Sequence, residues 1–156
     1  MIAHPRDPVD FGAEACAIAE KYLKATDTGG LAYWRSPHGE RFFQANIAAI
    51  QRGVKIIRVF MQPINELKEN IDVLEKHRSA GVEVYVAQPQ EIPLELAEDY
   101  LIIDDRVFSV MTFSSDGQPR EERISIDEVE AQRLAKKFDA VRQRSKALEI
   151  AIRDLK

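Results

Sequence analysis

His38 is the side chain of this sequence best suited to acid–base work. Imidazole titrates near neutral pH, and the residue stands in Ser36-Pro37-His38-Gly39, a turn that leads into a helix. Two further groups could share a proton with it, the Glu98 carboxylate and the Tyr100 phenol at the start of a short apolar run. An enzyme built on these residues would use His38 with Glu98 or Tyr100. A binding module would instead line a site with Ser36, His38, Gln88, Tyr100, Thr112 and Ser114. Adjacent strand residues point to opposite faces, so Glu98 and Asp99 do not form a carboxylate pair. His4 lies near the amino terminus, and His77 closes a charged helix whose dipole favours a cation; neither needs a functional role.

Other chemistries lack their residues. The single cysteine, Cys16, sits among Ala15, Ala17 and Ile18 and reads as a packed thiol, which excludes an internal disulfide framework and any cysteine-based metal cluster. No glycine-rich phosphate loop, zinc-ligand spacing or Gly-x-Ser-x-Gly elbow occurs, so no cofactor and no metal are expected. The chain has 156 residues, 45% hydrophobic and 31% charged, with a formal net charge of −4, so one α/β domain spanning 1–156 is expected. A sequence pI near 5.5 makes a dedicated nucleic-acid binder unlikely on charge alone. The absence of a long apolar run and of a signal peptide leads to the expectation of a cytoplasmic protein that does not enter membranes.

The elements that must position these groups follow from capping and periodicity. Asp7-Pro8-Val9-Asp10 announces a helix, and the spacing of Phe11, Ala15, Ile18, Ala19, Tyr22 and Leu23 predicts that it runs over about 8–25. A strand is expected at 31–35, a helix at 40–52 closed by Gly53, a strand at 54–61, a helix from Asn65 closed by Gly81, and a strand at 82–87. Arg58 is an odd residue in an otherwise apolar strand; it neutralises an inner acid or emerges at a site. Leu101-Ile102-Ile103, Asp104-Asp105-Arg106 and Val107 to Phe113 read as a hairpin, with the Asp-Asp-Arg piece as a turn holding a local ion pair. A turn at 114–117, an exposed charged edge at 120–126 and one long helix over about 127–155 follow, the end of that helix from Leu148 to Leu155 either projecting toward a partner or fraying.

The helix, Gly-Val, strand repeat predicts parallel crossovers, hence a mixed, mostly parallel sheet with helices on both faces. Between the strand at 82–87 and the one at 100–103, Pro89 and Pro93 leave room for only a turn or so of helix, too little for a parallel return, so the latter should run antiparallel to its predecessors. Ligands collect at the carboxyl ends of parallel strands. With the fourth strand reversed, that edge would gather Ser36, His38, Gln62, Asn65, Gln88 and Gln90 with the beginning of the fourth strand and the end of the fifth.

The order of these elements from Leu31 to Ser115, and above all Leu101 to Val107 with its Asp-Asp-Arg, resembles a phospholipase D superfamily half-domain. In that family an apolar strand follows a His-x-Lys pair and leads to a strand ending Gly-Ser-x-Asn. Aligning Asp104 with the family aspartate puts Ala97 and Asp99 at the His and Lys positions; aligning Asp105 puts Glu98 and Tyr100 there. Neither register supplies the pair. Thr112 and Ser114 stand where the family has Ser and Asn, and Met111 replaces its glycine. The resemblance implies a phospholipase D-like scaffold without the family's catalysis: a regulatory or ligand-sensing module of a bacterial cytoplasm. It also implies a homodimer, since active members pair two halves across a two-fold axis. Alternatives are an enzyme of altered mechanism acting on a phosphate-containing or other small substrate through His38, and a protein-interaction or assembly domain.

Overall fold

Glycines at left-handed positions end two helices just before apolar runs, and those runs become neighbouring strands. Gly53 and Gly81 have φ of +95° and +106°, a region that side chains disfavour. The computed structural model describes residues 2–3, 8–113 and 119–156, with side chains at 11–113 and 121–156. A short β1 (Ile2–Ala3) precedes α1 (Pro8–Ile18) and β2 (Tyr22–Asp27). A 3₁₀ turn (Leu31–Arg35) leads into α2 (Pro37–Gln51), then β3 (Lys55–Met61), α3 (Ile64–Glu69), α4 (Ile71–Ser79) and β4 (Glu83–Ala87). Two more 3₁₀ turns precede the antiparallel run β5 (Asp99–Ile103), β6 (Val107–Phe113) and β7 (Pro119–Ser125), which is followed by α5 (Glu128–Gln143), β8 (Lys146–Ala147) and α6 (Leu148–Leu155).

Among the described residues eight strands form one sheet in the order β1-β7-β6-β5-β2-β3-β4-β8. Only β2–β3 and β3–β4 are parallel; the other five neighbouring pairs are antiparallel, so the sheet is mixed but mostly antiparallel, not mostly parallel as the helix-strand repeat predicts. The repeat covers just β2, β3 and β4, and the later strands are joined by a short return, by hairpins, and by α5, which carries the chain to β8 beside β4. The reversal of the strand at Leu101–Ile103 is as expected: β5 pairs antiparallel with β2.

Alternation along the strands divides the core in two. Leu23, Ala25, Ile56, Phe60, Leu101 and Ile103 face α1, α2, α3, α4 and α6, while Val59, Tyr100, Ile102 and Phe108 face α5. Helices therefore lie on both faces.

Several boundaries differ from the expectations. The first helix stops at Ile18, and Tyr22–Asp27 is a strand. Leu23 and Ala25 are buried because β3 and β5 flank them on both sides, and this pairing overrides a helical spacing. Leu31–Arg35 is a 3₁₀ turn, so Ser36 and His38 do not follow a strand. The helix after Asn65 breaks at Asn70, whose side-chain amide donates to the Glu66 carbonyl at 2.9 Å. The charged segment 120–126 is mostly strand, held between β6 and β1. The carboxyl-terminal helix is two helices: α5 packs on one face of the sheet, and after β8 pairs with β4 the chain places Leu148, Ala151 and Leu155 in the core of the other face. A single straight helix could not cover both. His77, placed by the sequence at a helix end whose dipole favours a cation, is 1% exposed between Trp34, Phe43 and Phe60, and burial pushes its pKa down to about 3. No helix among the described residues is long and apolar enough to cross a membrane.

Candidate functional site

Register brings acids together that lie far apart in the chain. Leu23 pairs with Ile103 and Ala25 with Leu101, so carrying the ladder two residues further sets Asp27 across from Asp99. Asp99 pairs with Met111, and Met111 with Glu122. The row Asp27, Asp99, Met111, Glu122 thus runs across four strands on the face that α1 and α2 cover. One row below, Arg58 pairs with Ala25, Ala25 with Leu101 and Leu101 with Ser109. The small side chains of Ala25 and Ser109 leave space between the rows, and a cavity of about 330 Å³ fills it, within the range typical of small-molecule sites.

The cavity lies at the carboxyl end of β2 and the beginning of β5. Its walls are aromatic: Tyr33 and Trp34 from the 3₁₀ turn, Phe42 from α2 and Phe113 from β6. Gly12 admits the Phe42 ring, since a Cβ there would lie 2.8 Å from it, and Gly29 gives the Phe113 ring similar room at 3.0 Å. Either glycine replaced by alanine would force its ring to shift.

Arg58, 1% exposed, is the central charge. Its guanidinium lies 4.7 Å from the Trp34 ring centre and 5.1 Å from that of Phe42, and Nη1 donates to Asn46 Oδ1 at 3.2 Å. Asn46 is fixed in turn by donating to the Phe42 carbonyl at 2.6 Å. Nη2 has no partner. Asp27 accepts from Trp34 Nε1 at 2.8 Å, and Asp99 accepts from the Thr28 amide at 2.9 Å and the Thr28 hydroxyl at 3.1 Å. The Thr26 hydroxyl ties β2 to β5, donating to the Glu98 carbonyl at 2.6 Å and accepting from the Tyr100 amide at 3.0 Å.

Burial governs the titration of these groups. It pushes the Asp99 carboxyl up to about 7, with the negative charge of Asp27 adding to the shift and the Thr28 hydrogen bonds and Arg58 opposing it. Asp27 is raised too, by burial, against the Trp34 hydrogen bond and Arg58. Glu122 reaches about 7 through burial, opposed by a hydrogen bond with Ser109, and its Oε2 has no partner. Burial lowers the pKa of Arg58, and Asp27 opposes that fall. Arg58 both balances an inner acid and reaches the site, the two options its sequence position left open.

Of the catalytic and ligand-binding candidates named from sequence, Tyr100 alone borders this cavity, together with Arg58, Asp99 and Met111, which the sequence marked for other reasons. The Tyr100 side chain belongs to the core on the α5 face, where its hydroxyl is buried without a partner. Ser36 caps α2, accepting from the Gly39 amide at 3.1 Å, and His38 lies exposed in the first turn of that helix, 3.4 Å from Arg41. Gln88 starts a 3₁₀ turn, its amide donating to Glu91 at 2.9 Å and its side chain accepting from Gln90. Glu98 is exposed and 3.3 Å from Lys137; Thr112 is exposed on β6. His4, Asp7, Ser114 and the turn expected at 114–117 lie outside the described residues. Asp104 and Asp105 form the hairpin turn, both left-handed at φ of 52° and 54°, and Asp104 accepts from the amides of Glu20, Lys21 and Tyr22. They stand at the opposite end of β5 from the cavity.

Asp27, Trp34, Phe42 and Glu122 escaped the sequence reading, and Asp99 was considered there only to be set aside as a partner of Glu98 or as the residue in place of the family lysine. Asp27 was hidden by the helical spacing assigned to β2, and Glu122 by the charged segment around it. Arg58 carried the usable signal, a charge in a strand otherwise built for burial. Among the described residues, no group of three or more His, Cys, Asp or Glu side chains is placed to hold a metal.

Three solved structures share the fold. The phospholipase D family member Nuc from Salmonella typhimurium matches with a TM-score of 0.68 at 13% identity, covering 88% of each chain. NucT from Helicobacter pylori matches with a TM-score of 0.62 at 10% identity over 94% of this chain and 96% of its own. TrmBL2, an archaeal chromatin protein with a novel mode of DNA binding, matches with a TM-score of 0.66 at 11% identity over 94% of this chain. This chain spans about half of TrmBL2, 53% of its length. At these identities the likeness is one of fold. No curated protein sequence matches. A family model covers residues 21–150, most of the chain, and on that match the protein belongs to DUF6879, a domain of unknown function.

Proposed function

We propose that this protein is a non-catalytic ligand-binding module on a phospholipase D-like scaffold, acting as a homodimer in a regulatory or sensing role. One observation carries the reading: the cavity at the β2 and β5 edge is walled by aromatic rings around Arg58, Asp27 and Asp99, and its described lining contains neither histidine nor lysine. A cavity with a few fixed polar groups and apolar walls is the architecture of a binding site. Phosphoryl transfer through a covalent intermediate needs a nucleophile with an adjacent base and cations around the phosphate. Asp27, Asp99 and Glu122 put carboxyls, not cations, where a phosphodiester would lie, and every proton they lose adds repulsion.

A second reading, an enzyme of altered mechanism, draws on Asp99. A carboxyl that titrates near 7 beside a second carboxyl is poised for proton transfer, which moves the acid–base role away from the exposed His38. Incubation with bis(p-nitrophenyl) phosphate and with single-stranded DNA separates the readings. The binding module gives no turnover above buffer between pH 5 and 9. Turnover that disappears in Asp99→Asn or His38→Ala would make the protein an enzyme.

A further inference from the structure

On the reading of this cavity as a ligand site, we infer that it takes a small organic cation: an amine or quaternary ammonium compound that also carries a hydrogen-bond acceptor. The positive end lies along the acidic row of Asp27, Asp99 and Glu122, and the acceptor meets Arg58.

The charge inventory comes first. Three carboxyls and one guanidinium border the same space, so the full ionisation of the acids leaves a surplus of negative charge that nothing on the described walls offsets. Two of the side chains also keep unused hydrogen-bonding atoms. Arg58 is 1% exposed with Nη2 unpartnered, and Glu122 is 2% exposed with Oε2 unpartnered. Buried polar atoms are almost always satisfied, so one orphan donor and one orphan acceptor on the same cavity describe the complement they await. The ligand presents an acceptor to the guanidinium and an N–H or cationic centre to the carboxylate.

Position adds a second constraint. Arg58 is on β3 and Glu122 on β7, with β2, β5 and β6 between them. A ligand that meets both therefore has its charged and accepting ends at opposite poles. The floor between the poles is small and the roof is aromatic, with Tyr33 and Phe113 among the rings. Aromatic faces attract cationic groups, as Trp34 and Phe42 do with Arg58. An inorganic anion would gain Arg58 but face three acids. A neutral polyol could hydrogen-bond to the walls but would leave their charge uncompensated.

Trp34 is the chain's single tryptophan and lines the cavity, so its fluorescence reports occupancy directly. The full chain is titrated with choline and with 4-aminobutyrate, and in parallel with glucose and with inorganic phosphate. Saturable change with choline or 4-aminobutyrate and none with glucose or phosphate is expected. Glu122→Gln and Asp99→Asn keep the shape of their sites and remove a buried charge. Each should weaken the amine at least tenfold with a melting temperature equal to or above that of the parent chain, which separates lost recognition from lost folding. Amine binding unchanged in both variants, or no response to either amine, overturns the inference. Saturation by glucose or phosphate in place of the amines overturns it and leaves the ligand-module reading standing. Turnover of the phosphodiester probes strikes at that reading itself.

Discussion

Asp99 answers to two opposing demands. Its position at the start of β5 fixes it by hydrogen bonds from Thr28, and burial beside Asp27 resists its ionisation. The native carboxyl holds its proton up to about pH 7, while in the unfolded chain it would release it near pH 4. Between those values the native state binds more protons than the unfolded one, so this residue's contribution to stability is complete below pH 4 and is lost as pH rises through 7. Asp99→Asn keeps an acceptor for Thr28 and removes the charge. It should raise stability by roughly 1–3 kcal/mol at pH 8 and change it little at pH 4, read from thermal unfolding across that range. His77 works in the opposite sense. Its pKa falls from 6.5 to about 3 on folding, so its contribution is present above pH 6.5 and drains away as pH falls toward 3. Its Nδ1 donates to the Val73 carbonyl at 2.8 Å, which defines the neutral tautomer that packs against Trp34. Cys16 is fully buried with its pKa raised by burial to about 11, so the thiol is part of the packing and not a nucleophile.

At the scale of elements, the hairpin and the carboxyl-terminal pair show how a local signal and its use can diverge. Asp104 and Asp105 form the turn that their composition suggests, yet Asp104 also receives three amides from the entry to β2 and so joins two segments about eighty residues apart. Asp105 accepts from the Tyr22 hydroxyl at 2.8 Å and pairs with Lys24 at 3.4 Å. This cluster holds one end of β2 against β5, and the Thr26 and Thr28 hydroxyls hold the other, so the two strands that carry Asp27 and Asp99 are tied at both ends. The segment after Ser145 is similarly committed to the core, with Leu148 fully buried and Leu155 5% exposed. Each such leucine contributes about 1.5–3 kcal/mol by burial, so deletion of 146–156 should destabilise the whole domain by at least about 3 kcal/mol, measured by denaturant unfolding. An end free to meet a partner would instead leave the midpoint unchanged. The apolar spacing of Leu148, Ile152 and Leu155 was visible in the sequence; that it turns back onto β4 was not, because the break at Arg144–Ser145 has no glycine or proline to mark it.

At the scale of the molecule, the domain shares its fold with the phospholipase D family member Nuc, and its candidate cavity lies on one face of the sheet, at the carboxyl end of β2 and the beginning of β5. The proposal that two copies pair has a direct readout: light scattering on the eluted protein should give twice the chain mass of 17.7 kDa. A mass of one chain at micromolar concentration would remove the dimer from the proposed function without touching the cavity. What the sequence determined by itself was the set of strands rich in β-branched residues, the glycines that end two helices, the reversal at Leu101–Ile103 and the absence of a His-x-Lys pair. These follow from backbone conformation and side-chain chemistry, which act over a few residues. Only the tertiary structure decided that Tyr22–Asp27 is a strand, that the sheet is mostly antiparallel, and that Asp27, Arg58, Asp99 and Glu122 share one cavity. Those outcomes depend on which strands become neighbours and in what register, and a register that joins residue 25 to residue 101 and residue 111 to residue 122 is fixed by the packing of the whole core, which leaves no mark on any short stretch of chain.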